Sequence, residues 1–260
     1  MKTLLKFFGG LIIVLLLIIA SAWVSMMPNI PDATWQFESN AAAEPRSFLI
    51  FGATRNTGLE VAKLLIARGD KVTAFVRETS DRSAVAPLGV NFVVGDALQP
   101  ETVVAAFGSG EFDAVLTTIG GLRSPTPPDF EGNKNIFDAA SAAGVDRVIM
   151  ISTVGAGNSD GAIPWVSKLM LSEVAVLKTR AEDHLKSLGL DYTVIRPGGL
   201  PFDGGTGGGI LSEDPTTFGF IARPDLARLV VAAFDDDRTI GKTFAAVDPV
   251  RTSLLWAPEE

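Results

Sequence analysis

The chain has 260 residues, 47% apolar and 20% charged, which excludes a disordered polar chain and allows one large domain. With 22 basic against 30 acidic side chains the net charge is −8, so a nucleic-acid partner is not expected. Cysteine is absent and His184 is the single histidine, which excludes disulfides, Fe–S clusters and thiolate metal sites and leaves a Ser-His-Asp triad only His184 as base.

Residues Phe7 to Met27 form a run of 21 without a charge, preceded by Lys2 and Lys6. At ~1.5 Å per residue such a helix spans a hydrocarbon core of ~30 Å, so 1–27 is expected to be a single-pass membrane anchor. Ala20-Ser21-Ala22 also fits a signal-peptidase site, and the run continues beyond it through Trp23, Val24, Met26 and Met27. Residues 28–46 hold three prolines and three successive alanines and read as a tether outside the fold. The lysines place the following domain outside the cytoplasm, against the supply of soluble cofactors; the side is left open.

From residue 47 apolar strands alternate with amphipathic helices. Strands are expected at Ser47–Phe51, Lys71–Val76, Asn91–Val94, Asp113–Ile119, Arg147–Ile151, Tyr192–Arg196 and Thr243–Val247. Helices are expected at Gly58–Arg68, Pro100–Phe107, Asn133–Ala143, Ser167–Leu188 and Asp225–Phe234, several closed by Gly. That alternation predicts an α/β domain over 47–260, a parallel sheet with helices on both faces. Such sheets bind ligands beyond the carboxyl ends of their strands, where Gly52, Arg77, Asp96, Gly120, Ser152 and Pro197 all fall.

The turn Gly52-Ala53-Thr54-Arg55-Asn56-Thr57-Gly58 joins the first strand to the first helix of the domain. Glycine is needed where the backbone turns sharply and where it approaches a pyrophosphate; Arg55 stands where a third glycine is usual. The helix N-terminus offers free N–H groups and a positive dipole to phosphate. Arg77, at the end of the second strand, replaces the acid that would bind a 2′-hydroxyl and suits a 2′-phosphate, with Arg55 and Arg82 adding charge. NADP is therefore expected in preference to NAD.

With Val76-Arg77, Gly95-Asp96, Ala139 to Gly144 and Leu190 to Leu200, this loop resembles the atypical short-chain dehydrogenase/reductase group, whose NAD(P)H-binding members include NmrA-like and biliverdin/flavin-reductase-like proteins. The resemblance implies a Rossmann-type doubly wound sheet in a single domain with bound NAD(P). It places Asp96 and Ala97 near the adenine, and Ile119, Gly120 and Gly121 near the ribose of the nicotinamide half. Pro197, Gly198, Gly199 and Leu200 would line the nicotinamide pocket. Ser152 or Thr153 stands at the family's serine, and Lys178 at its ribose-binding lysine.

The proton donor of the family, a Tyr four residues before that Lys, is here Val174. Tyr192, the one tyrosine, opens a strand. An acceptor protonated by solvent is therefore expected: a conjugated, lipophilic quinone, flavin or enone reduced by a membrane-tethered NADPH-dependent oxidoreductase. The alternatives are a non-catalytic NADP-binding sensor or assembly factor with a membrane-protein partner, and an epimerase on the same fold. Five glycines between Gly204 and Gly209 predict a mobile flap over the substrate, lined by Ile210, Leu211, Phe218 and Phe220. Asp235-Asp236-Asp237 reads as a solvated turn, with no metal site expected, and Trp35, Trp165 and Trp256 are assigned to packing.

Overall fold

The computed structural model describes residues 2–35, 37, 44–121, 124–202 and 204–253, with side chains from Leu11 onward. Helix α1 covers Lys2–Ser25. The domain then runs β1 (Ser47–Phe51), α2 (Asn56–Arg68), β2 (Lys71–Val76), β3 (Asn91–Val94), α3 (Pro100–Phe107), β4 (Ala114–Thr117) and α4 (Glu131–Ala143). It continues through β5 (Arg147–Ile151), α5 (Trp165–Ser187), β6 (Asp191–Pro197), β7 (Ile210–Ser212), α6 (Arg223–Phe234) and β8 (Lys242–Val247).

The sheet order is β3-β2-β1-β4-β5-β6-β8-β7, parallel except for β7 against β8. Successive side chains alternate across the pleat and helices cover both faces, so the strands inside the sheet are buried on both sides, while the edge strand β3 is not. Phe48 and Ile50 join a core that includes residues of α2 and α6, while Leu49 and Phe51 join one built with α3, α4 and α5. The order reverses between β1 and β4, opening a crevice at the carboxyl edge where the two halves diverge.

Four strands and α3 start and end where the periodicity predicts. Helices α2, α4, α5 and α6 begin earlier than the apolar period indicates, because a first turn is set by backbone geometry rather than by a buried face. Strand β4 is shorter than expected; just beyond it the Thr118 hydroxyl donates to the Phe51 and Gly52 carbonyls. Strand β7 has no counterpart among the expected strands; its three residues are too few to show a period.

The membrane anchor expected over 1–27 is overturned. Among the described residues no helix is long and apolar enough to cross a membrane. The single-pass membrane location is corrected with it.

The tether is also not wholly outside the fold. Asn29 exchanges backbone hydrogen bonds with Phe218 at 2.7 and 3.0 Å, and Trp35 N donates to Leu211 O at 2.8 Å. The Trp35 ring meets Phe244 edge-on at 5.1 Å. Trp165, assigned to packing, is instead 41% exposed, and Trp256 lies outside the described residues.

Candidate functional site at the carboxyl edge of the sheet

Register sets the site. Phe51 pairs with Phe75 and with Thr117, so Gly52 stands level with Val76 on one side and Thr118 on the other. Arg77 follows at the exposed end of β2, its backbone N–H bonded to the Ser80 hydroxyl at 3.1 Å. Arg82 stacks over Phe92 at 5.5 Å.

Gly52 takes φ +97, and a β-carbon there would collide with the Thr118 hydroxyl. A β-carbon on Gly58 would overlap the Gly52 carbonyl. The two glycines let strand end and helix start lie in contact. Between them Arg55 and Asn56 are exposed, Thr54 is half-buried and Thr57 is buried. Arg55 takes the N-cap position in extended conformation without a side-chain capping bond. The first-turn N–H groups of α2 therefore face the crevice uncapped, as an anion site requires.

At the end of β3, Gly95 packs under the Phe75 ring, where a β-carbon would come within 2.7 Å of ring carbons. The turn beyond is fixed: Leu98 N donates to Asp96 Oδ1 at 3.0 Å, and Asn135 Nδ2 to Ala97 O at 2.8 Å. Asp96 and Ala97 thus border the same edge as the Gly52–Gly58 loop.

The second half of the site is a polar knot between β4, β5 and α5. Pairing of Thr117 with Met150 brings Ile119 level with Ser152. Lys178, buried on α5, donates from Nζ to Ile119 O at 2.7 Å and Ile151 O at 3.2 Å, joining the two strand ends. Asp129, fully buried, accepts from Gly121 N at 2.8 Å and stands 3.6 Å from Lys178 Nζ. Burial pushes the Lys178 ammonium below its ordinary value, and the Asp129 and Glu182 charges oppose that fall.

Ser152, also buried, donates to Glu182 Oε1 at 2.6 Å. Glu182 is held by Arg196 through Nε at 3.0 Å and Nη2 at 2.6 Å, a bidentate pair in the interior. Thr153 is half-buried and its hydroxyl donates to Val154 O at 3.0 Å. Beyond β6, the Pro197–Leu200 segment is stitched in place: Gly198 N donates to Ala246 O at 3.0 Å, and Gly199 N to Gly219 O at 2.9 Å.

Between the loop after β5 and the first half of α5 lies a cavity of about 230 Å³, with Ile163, Ala175 and Val176 as apolar walls and Lys168, Ser172 and Thr179 as polar ones. Lys168 is paired with Asp160 at 2.9 Å.

Tyr192, His184 and the acidic turn, none of them expected at the site, lie away from it. Tyr192 opens β6 at the opposite edge, where its hydroxyl donates to Gly241 O at 2.9 Å. His184 pairs with Asp138 at 2.6 Å between α5 and α4. The acidic turn is partly tied: Asp235 pairs with Arg68 at 2.6 Å and with Arg46. The glycine-rich flap is corrected. Thr206 N and Gly207 N donate to the buried Asp225 at 2.7 and 2.9 Å, and the Thr206 hydroxyl bonds buried Asp248. Leu211, Phe218 and Phe220 are buried rather than presented to a ligand. Two interior carboxylates outweigh the freedom that composition alone suggests; residue 203 lies outside the described residues.

Asp129 carries no signal in the sequence. It is one acid in a loop, without a period or a glycine pattern, and only the fold brings it to Lys178.

A doubly wound parallel sheet, with a two-glycine turn and an uncapped helix N-terminus at its switch point, defines a dinucleotide-binding protein of the Rossmann class. A family described as NAD(P)H-binding matches residues 52–237, and the chain belongs to it. It is 32% identical over 203 residues to the Bacillus subtilis protein named uncharacterized sugar epimerase YhfK, covering 76% of this chain and 91% of that protein. It is 27% identical over 240 residues to sanguinarine reductase of Eschscholzia californica, covering 75% and 86%. Among solved structures, ChuY of Escherichia coli, described as an anaerobillin reductase, superposes with a TM-score of 0.72 at 26% identity, covering 82% of this chain and all of that one (100%).

Proposed function

We propose that this protein is an NADPH-dependent reductase that passes hydride to a conjugated, lipophilic acceptor of the quinone, flavin or enone type, with solvent supplying the proton. The observation that carries the reading is the joint state of Lys178, Ser152 and Val174. Lys178, which the resemblance matches to the family's lysine, bonds the carbonyls at two strand ends; the Ser152 hydroxyl is committed to Glu182; and Val174 stands where the resemblance expects the acid. The two relatives named as reductases favour the same direction.

The residues present fit the dinucleotide: Gly52 and Gly58 let the strand end and the helix start close on each other, and no side chain of the N-cap residue occupies the start of α2. NADPH, when bound, supplies the hydride. The α2 N-terminus would hold the pyrophosphate, Arg77 the 2′-phosphate with Arg55 and Arg82 adding charge, and Lys178 the nicotinamide ribose. Gly120, Gly121 and the stitched Pro197–Leu200 segment would wall the reacting end, with Thr153 beside it. Ile163, Ala175 and the exposed Val176 would offer the acceptor an apolar surface.

Steady-state NADPH oxidation with a panel of quinones, flavins and enones tests this. Turnover is expected with at least one class, and Ser152→Ala should keep its rate within about threefold, because a true general acid would cost ~100-fold or more. Tight NADPH binding without turnover by any acceptor would favour the second reading, a non-catalytic NADP-binding module.

A further inference from the structure

We infer that Asp129 is a positioning residue for the nicotinamide half of the site: its carboxylate shapes the Gly120–Gly121 turn and serves as the counter-charge that keeps Lys178 an ammonium. This rests on the reading of Lys178 as the ribose-holding group.

The geometry divides the carboxylate between two tasks. Oδ2 accepts from Gly121 N at 2.8 Å, which holds the backbone at Gly121. Oδ1 is buried without a hydrogen-bond partner and faces Lys178 Nζ at 3.6 Å. An interior carboxylate oxygen with no donor is costly, and the ammonium opposite compensates it. Gly120 makes the approach possible: a β-carbon there would lie 2.9 Å from Oδ1. The other end of the loop is held by Asn133, which donates to Asp129 O at 2.8 Å and accepts from the Thr117 hydroxyl at 2.7 Å.

Lys178 itself has little else to keep it charged. Its two hydrogen bonds go to neutral carbonyls, Ile119 O and Ile151 O. Ser152, at the end of β5, is neutral and turned to Glu182. Glu182, one turn along α5, is engaged bidentately by Arg196 from β6 and touched by Lys186, so its charge is largely answered. From the β4–α4 connection, Asp129 is the carboxylate that faces the ammonium without a cation of its own. A neutral Lys178 would lose its grip on a ribose hydroxyl as an ionic donor, and the Gly120–Gly121 turn would lose its anchor in the same event.

The test uses the full chain and Asp129→Asn, which keeps the size and the acceptor for Gly121 N–H. NADPH dissociation constants are measured from about pH 6 to about pH 10, and the Lys178 ammonium is followed by nitrogen-15 NMR without dinucleotide. The expected result is an alkaline weakening of NADPH binding that begins about one pH unit or more lower in D129N than in wild type, with the NMR titration of Lys178 moved the same way. Lys178→Met should abolish the alkaline limb, which gives a readout even if D129N folds poorly. Parallel profiles, with D129N uniformly weaker and the NMR titration unmoved, would overturn the inference and leave Asp129 a loop anchor. A wild type whose Lys178 titrates as expected but binds no NADPH would instead overturn the ribose reading and leave the Asp129–Lys178 coupling standing.

Discussion

Replacing Gly58 with alanine puts a methyl group into the Gly52 carbonyl, and neither the strand end nor the helix start can yield without dismantling the turn. Overpacking of this kind costs ~1–3 kcal/mol of stability; because the clash also displaces the start of α2 from the strand end, G58A should lose about tenfold or more in dinucleotide affinity, read by calorimetry. Arg77 offers a sharper discrimination, because it is exposed and the turn beyond it is held through its backbone N–H, which a substitution keeps. Arg77→Asp should weaken NADPH about tenfold or more and leave NADH within about threefold; equal losses would remove the 2′-phosphate assignment. Both residues are legible in the sequence, since their signal is local: a turn needs glycine, and a cation stands where an acid is usual. Asp129 is not, since a loop carboxylate takes its meaning from the lysine that the fold sets 3.6 Å away.

Helix α5 carries Lys178 and Glu182, and its register against β5 and β6 is fixed in the interior. Glu182 receives Ser152 from β5 and two nitrogens of the Arg196 guanidinium from β6. Removing one partner of a buried pair strands the other, so Glu182→Gln should destabilise the fold by about 3 kcal/mol in urea unfolding, with Arg196 left unpaired. Burial alone would raise the Glu182 carboxyl, but Arg196, Ser152 and Lys186 outweigh it and hold it below the ordinary 4.5. The unfolded chain therefore takes up this proton first on acidification. The stability from the pair is complete above the ordinary glutamate range and is lost as pH falls through the lower folded value. Urea midpoints measured against pH should show that acid loss in wild type and a shallower one in E182Q. Of the strands flanking α5, β5 is readable as the apolar run Val148–Ile151 stopped by Ser152, and β6 by its β-branched Thr193, Val194 and Ile195 ahead of Pro197. The pinned 204–209 stretch is not, because five glycines announce freedom while the carboxylates of Asp225 and Asp248, far along the chain, remove it.

At the scale of the molecule, the sheet order brings the Gly52–Gly58 loop, Arg77, Asp96, the Gly120–Gly121 turn, Lys178 and Pro197–Leu200 to one edge. That convergence is legible in the residue pattern alone, because all but Lys178 follow strands and parallel strands share an edge. The N-terminal region misleads, since hydropathy reports an apolar run but not what Asn29 and Trp35 pair with. Those pairings make a truncation prediction. A chain starting at Pro28 should melt within about 2 °C of the full chain, whereas one starting at Arg46 should lose Trp35 from its place on Phe244, and with it about 1–3 kcal/mol or several degrees of Tm. Function turns on whether that shared edge captures a phosphorylated dinucleotide through the α2 N-terminus. Calorimetric titration of the full chain and of G58A with NADPH and NADH tests it directly. The expected result is one site per chain, NADPH bound about tenfold or more tighter than NADH, and both weakened in G58A; no heat with either, or heat indifferent to G58A, would contradict it.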